Sequence, residues 1–280
     1  MTKPNRLVIL GAGGFIGKHL LGERPDAIPL TRREVDLTTP GAGKKLAQLL
    51  LDGDKLIFLS AITPDKGKGA EAFLRNCQMG AEVALAIELQ PAARLVYISS
   101  DAVFAEDLPQ ITEDTIPCPN TLYGTMHLAR EQMLAEASAR TKTPLLILRP
   151  CAVYGRGDTH QSYGPNRFIQ AVARKEAIRL FGQGEEMRPH VHVQDLVKAI
   201  LDLIELDAKG VFHVIPSPSI SFRRVAEIVS QAVGGCPIEV VPRSGVPTHK
   251  HFDSKRLRES LPSFEFLDLS TEIQNILRKG

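Results

Sequence analysis

The strongest constraint on this chain is a glycine loop placed between a strand signal and a helix signal near its start. Leu7–Leu10 is a short apolar run rich in strand-forming residues, and it passes directly into Gly11-Ala12-Gly13-Gly14-Phe15-Ile16-Gly17. A buried strand followed by a helix over 15–21 is predicted. Each glycine then has its own reason. Gly11 permits a tight turn, Gly14 lets the backbone approach a pyrophosphate, and Gly17 lets the helix lie against the strand. The start of that helix offers free N–H groups and the positive end of its dipole to phosphate. The same glycines also suit a tight turn with no ligand. Their place in the first strand–helix unit favours a dinucleotide, with Phe15 and Ile16 completing the contacts.

Strand and helix signals go on alternating. Strands are predicted over 27–30, 56–59, 95–98 and 145–148, and helices over 44–51, 70–88 and 122–139. The apolar residues chosen for the 70–88 helix are Phe73, Leu74, Cys77, Ala81, Ala84 and Leu85. Continuous apolar strands joined by helices imply a doubly wound parallel sheet covered on both faces, an α/β fold. Beyond Pro150 the pattern loosens. A loop over 155–164 leads to a helix at 166–174, a strand at 178–181, and a strand–helix–strand run through 190–215. A helix over 222–233 follows, capped by Ser221 and stopped by Gly234. The expected layout is a Rossmann-type nucleotide-binding domain, 1–156 with 190–216, and a small C-terminal α/β substrate lobe, 157–189 with 217–280.

Composition excludes several classes. The 280 residues are 43% hydrophobic and 24% charged, as in folded globular chains. A net charge of +2 lacks the basic excess of a dedicated nucleic-acid binder. The four cysteines form no CxxC pair and read as reduced thiols. No run approaches a membrane span, and a cytoplasmic location is expected. His190 with His192, and His249 with His251, alternate along predicted strands. Neither pair has a third ligand at suitable spacing, so no metal is assigned.

Three further groups point to chemistry. Arg32 and Arg33 follow the second strand, where the adenosine ribose lies in this fold. A forked cation there suits a 2′-phosphate and favours NADP(H), with NAD(H) the alternative. Asp36 and Leu37 come next, where a further strand would end, and are expected to line the adenine pocket. Ser99-Ser100-Asp101 closes the strand over 95–98, at the carboxyl edge where such sheets bind ligands. Tyr123 and His127, one turn apart, share a helix face. That face is separate from the apolar stripe of Met126, Ala129, Met133 and Ala137, so neither residue reads as core.

These segments together resemble the extended short-chain dehydrogenases/reductases, a family of nucleotide-sugar epimerases, dehydratases and reductases. The resemblance runs from residue 7 to about 235. It rests on the GxxGxxG loop, Asn76 in the long helix, the Ser100-Asp101-Ala102-Val103-Phe104 run and the Tyr123-to-Glu131 segment, which resembles the YxxxK helix. It also rests on 148–155, similar to the stretch beside the nicotinamide, and on 188–195, similar to RDFVHVDD. It implies a catalytic set of Ser100, Tyr123 and His127, the last two also touching the cofactor, and it adds Ala61, Pro150 and Val153 to the cofactor contacts. It places the substrate against Asp101, Asn166, Arg167 and Arg188, with Arg188 gripping the diphosphate of a nucleotide-sugar. It also implies a homodimer formed through the two long helices.

The sequence departs from the pattern at His127, where the family has lysine. That lysine binds the nicotinamide ribose and lowers the tyrosine pKa. Histidine, with a reference pKa of about 6.5, is mostly neutral at pH 7. His127 can hold the ribose but activates Tyr123 less, which suits a tyrosine that donates its proton. An NADP(H)-dependent keto-sugar reductase is therefore expected. The alternatives are an epimerase that recycles its cofactor and a catalytically impaired NADP(H)-binding sensor or scaffold.

Overall fold

The computed structural model describes residues 5–106, 108–160 and 163–278. Within them the apolar strand signals become one six-stranded sheet. Its strands are β1 (Leu7–Leu10), β2 (Ile28–Leu30), β3 (Lys55–Phe58), β4 (Arg94–Ile98), β5 (Leu145–Pro150) and the later β10 (Gly210–Val214), in the order β10-β5-β4-β3-β1-β2. Neighbouring pairs from β2 to β5 are parallel, with Val8 opposite both Ile28 and Leu56. Every residue of β1 and β4 is buried, as expected for strands covered on both faces. The connecting helices are α1 (Phe15–Glu23), α2 (Ala42–Leu49), α3 (Gly69–Leu89) and α4 (Leu122–Thr141).

The chain forms two compact units. The first contains Met1–Ala105, Ile116–Arg149 and Ile200–Phe212; the second contains Glu106–Thr115, Pro150–Ala199 and His213–Gly280. These ranges differ from the expected split at 156. A reason lies in Pro150, which has no N–H to extend a ladder. The strand β6 (Ala152–Tyr154) follows it and pairs instead with β9 (His190–His192), in the second unit.

That unit also pairs β7 (Ile178–Phe181) with β12 (Ile238–Val241), and β8 (Met187–Arg188) with β11 (Ile220–Ser221). Its helices α5 (Pro165–Ala173), α7 (Phe222–Ala232) and α9 (Leu269–Arg278) close on Phe168, Leu180, Phe222, Val225, Val229 and Ile273. Ser221 caps α7 by accepting from the Arg224 amide at 3.1 Å, as the sequence suggested. The helices α6 (Val193–Glu205) and α8 (Lys255–Ser260) complete the set among the described residues.

The phase read for α3 is corrected. Its buried face is Asn76, Met79, Gly80, Val83, Ala84 and Ile87, while Leu74 is 64% exposed. The buried face carries an asparagine, a glycine and Glu82, so hydrophobicity alone selected the wrong stripe.

Candidate active site

The glycine loop is tied to the end of β2. The amides of Gly11 and Ala12 donate to the Leu30 carbonyl at 2.9 and 3.2 Å. Gly11 has φ +98°, and a Cβ there would lie 2.8 Å from Ser60 Oγ. At Gly17 a Cβ would meet the Gly11 carbonyl at 2.6 Å, so only glycine lets α1 start this close to the strand. No side chain caps α1 and its first turn has no acid. Its amides are thereby left to an incoming anion. Phe15 is buried and Ile16 half-buried at the same turn.

Because Leu30 holds the loop, the turn carrying Arg32 and Arg33 adjoins it. Both arginines are exposed. Glu34 closes that turn by accepting from the Thr31 amide and hydroxyl, both at 2.7 Å. Asp36 accepts from the Thr38 hydroxyl and amide, which hold its carboxyl below the ordinary range. It also lies 3.7 Å from Arg32. The strand expected before Leu37 does not form; residues 31–41 turn repeatedly, and Leu37 is packed in the core. Ala61 is half-buried in the loop after β3.

The turn that follows Ser100 and the first turn of the helix that carries Tyr123 meet in a backbone contact. Ser100 caps a single 3₁₀ turn, Asp101–Val103, accepting from the Ala102 amide at 3.1 Å and donating to Asp101 at 3.3 Å. The first turn of α4 rests on that turn. A Cβ at Gly124 would fall 1.9 Å from the Ala102 carbonyl oxygen, so glycine is required there. Thr121 caps α4 through the Gly124 amide at 3.1 Å. Tyr123 is half-buried. Burial pushes its phenol up; the Arg130 cation opposes this, and Asp101 and Asp65 add to it.

His127 departs from the sequence reading, since it is only 2% exposed. Its Nδ1 lies 2.7 Å from the Tyr97 hydroxyl, and its ring meets Tyr123 edge-on at 4.7 Å. Burial, and then Arg130, depress its pKa strongly, so the imidazole is neutral. Its Nε2 is buried without a partner. Sequence reasoning also missed the rest of this face. Arg130 and Glu131 are buried on α4. Glu131 accepts from Ser99 at 2.6 Å and forms a two-pronged pair with Arg149 at 2.9 and 2.6 Å. The signal was available as YxxxHxxRE, but charges are not expected on a buried stripe.

The other expected residues lie in the second unit. Pro150 is buried and Val153 half-buried. The side chain of Asn166 accepts from the Gly155 amide at 3.2 Å and donates to Val153 at 3.4 Å and Asp158 at 2.5 Å, so it holds its own loop. Arg167 is exposed over the Tyr163 ring. Arg188 donates to the Thr248 carbonyl and hydroxyl, both at 2.6 Å, and lies 3.5 Å from Glu106. Among the described residues, no group of three or more His, Cys, Asp or Glu could hold a metal, and no helix is long and apolar enough to cross a membrane.

Residues 7–214 match the family described as NAD dependent epimerase/dehydratase. The chain belongs to that family. It is 29% identical over 260 residues to dTDP-4-dehydrorhamnose reductase of Mycobacterium tuberculosis, covering 86% of this chain and 80% of that protein. Two solved structures share the fold. One is a mutant UDP-glucuronic acid 4-epimerase of Bacillus cereus with UDP-4-deoxy-4-fluoro-glucuronic acid and NAD (TM-score 0.84, 19% identity, 98% of each chain). The other is RMD of Pseudomonas aeruginosa with NADPH (TM-score 0.81, 20% identity, 98% of each chain). The glycine cradle, the uncapped α1 and the buried, unpartnered His127 Nε2 fit the family's nicotinamide dinucleotide.

Proposed function

We propose that this chain is an NADP(H)-dependent reductase of a nucleotide-activated keto-sugar. The observation that carries the reading is the setting of the α4 pair: His127 is buried, 2.7 Å from the Tyr97 hydroxyl and edge-on to the Tyr123 ring. His127 is neutral where the family has a cation, and the Tyr123 phenol is pushed up. A phenol that keeps its proton at neutral pH is a poor base and a ready acid. This favours proton delivery to a carbonyl oxygen over proton removal from a hydroxyl.

Bound at the glycine loop, the dinucleotide supplies a hydride to the carbonyl carbon. The chain's own residues do the rest. Tyr123 O–H gives its proton to the carbonyl oxygen, so C=O becomes CH–OH and the tyrosinate recovers a proton from solvent. Ser100, beside Tyr123 through the Gly124 contact, orients the same oxygen. His127 Nε2–H holds the nicotinamide ribose. Arg32 and Arg33, exposed beside the loop, select the 2′-phosphate. Arg188, with Arg167 and Asn166, serves the diphosphate end of the sugar nucleotide, and Glu106 is the group a diphosphate would displace from Arg188. Exposed Leu74 and Leu89 on α3 support a homodimer through α3 and α4. The setting is cytoplasmic.

The test is net cofactor use. Purified protein with NADPH and a panel of UDP-, dTDP- and GDP-linked 4-keto-sugars should show stoichiometric NADPH oxidation with at least one. Inversion of the corresponding 4-hydroxy-sugar nucleotides without net change in cofactor would establish the epimerase instead, and NADPH binding without turnover of either panel would establish the sensor or scaffold.

A further inference from the structure

We propose that Arg130 is the buried cation that stabilises Tyr123 once its proton has left, and that Tyr97 holds His127 as a neutral Nε2–H donor. One lysine's two tasks are thus divided between two residues. This rests on the reading of the α4 pair given under Proposed function.

Arg130 is 0% exposed. Its guanidinium donates to the Asn76 carbonyl at 2.7 Å, the Ser60 carbonyl at 2.9 Å and Asn76 Oδ1 at 2.9 Å. It also lies 5.0 Å over the Phe58 ring. Among the described residues it has no carboxylate partner, whereas buried Arg149 has Glu131 and buried Arg94 has Asp207. An uncompensated buried charge is expensive. The fold nevertheless makes room for it. A Cβ at Gly80 would lie 2.7 Å from Arg130 Cγ, so α3 carries glycine where the arginine stem crosses.

The use of this charge follows from its place. Arg130 stands three residues beyond His127 and seven beyond Tyr123, on one face of α4. The groups bearing on Tyr123 are Arg130, Asp101 and Asp65. Those on Tyr97 are Arg130, Tyr123 and Glu131, the last already spent on Arg149. Tyr97, Tyr123 and Arg130 bear on His127. Arg130 is therefore the cation in place when Tyr123 gives up its proton, and it stabilises the tyrosinate left behind. In this scheme Tyr97, 2.7 Å from His127 Nδ1, gives its proton to that atom, and the ring keeps its own proton on Nε2, the buried atom with no partner. Arg130 and Tyr97 are positioning residues in this scheme.

The experiment combines ¹⁵N-histidine NMR of the NADPH complex with two binding probes. The His127 signal is assigned by its loss in His127→Asn. In the wild type it should show a neutral ring protonated on Nε2. Arg130→Met should raise the pH at which His127 protonates, and Arg130→Lys, which keeps the charge, should restore the wild-type behaviour. Tyr97→Phe should weaken NADPH about tenfold, the worth of roughly one hydrogen bond. It should leave 2′,5′-ADP, which lacks the nicotinamide ribose, unchanged. A proton on Nδ1 in the wild type, equal weakening of both probes in Tyr97→Phe, or wild-type titration in Arg130→Met would overturn the division of labour. Failure of the wild type to bind either probe would overturn the cofactor reading beneath it.

Discussion

At residue 124 a single methyl group decides whether Ser100 and Tyr123 share a site. The Cβ of Gly124→Ala would sit 1.9 Å from the Ala102 carbonyl oxygen, a backbone atom that moves only with its whole turn. The variant should lose about 1–3 kcal/mol of stability from overpacking and most of its turnover, read as Tm and kcat; an unchanged Tm would contradict the contact. Tyr123→Phe removes one proton and little else. It should lower kcat by roughly 10²–10⁴-fold, the range for general acid catalysis, with NADPH affinity retained. Asp195 gives a pH signature. Burial, with Glu272 adding to it, pushes this carboxyl up from 3.8 to about 6. Its cost to the fold is therefore absent below pH 3.8, grows towards pH 6, and stays constant above, reaching about 3 kcal/mol. Asp195→Asn should match the wild type in urea midpoint near pH 4 and exceed it at pH 7. The residues carrying chemistry were legible as types and spacings. Their burial was not: His127 read as lying off the core because neighbouring apolar residues defined another stripe, while its own partner, Tyr97, comes from a strand 30 positions away.

For the elements, the strands were the most legible, since apolar runs buried on both faces need no choice of phase. The helices needed one. On α3 and α4 the inward faces carry Asn76, Gly80, Glu82, His127, Arg130 and Glu131, so hydrophobicity pointed elsewhere. What fixes α4 is a polar network joining it to β4 and β5 through Ser99, Glu131 and Arg149. Breaking one side of this buried pair leaves a bare charge. Glu131→Gln should therefore cost about 3–5 kcal/mol, and the double variant Glu131→Gln with Arg149→Met less than that single change. Urea unfolding of the three proteins measures the coupling. The break between β5 and β6 was legible only in hindsight at Pro150, because a missing N–H does not say which strand takes up the chain beyond it.

Across the whole molecule, the parallel sheet was legible in the alternation of strands and helices, the family in its motifs, and the proposed preference for NADP(H) rests on two exposed arginines. Arg32→Ala with Arg33→Ala should abolish the thermal stabilisation by NADPH in excess of that by NADH, leaving the NADH shift intact. The proposed homodimer is tested at exposed Leu74: sedimentation should show a dimer for the wild type and a monomer for Leu74→Glu, and a monomeric wild type would contradict it. The central claim is the direction of the chemistry, and one measurement addresses it most directly: a single turnover with NADPH carrying deuterium at the transferable C4 position and a keto-sugar nucleotide. A reductase leaves the deuterium on the sugar carbon and the cofactor oxidised in equal amount. Deuterium retained on reduced cofactor, with the carbonyl left unreduced, would contradict the account.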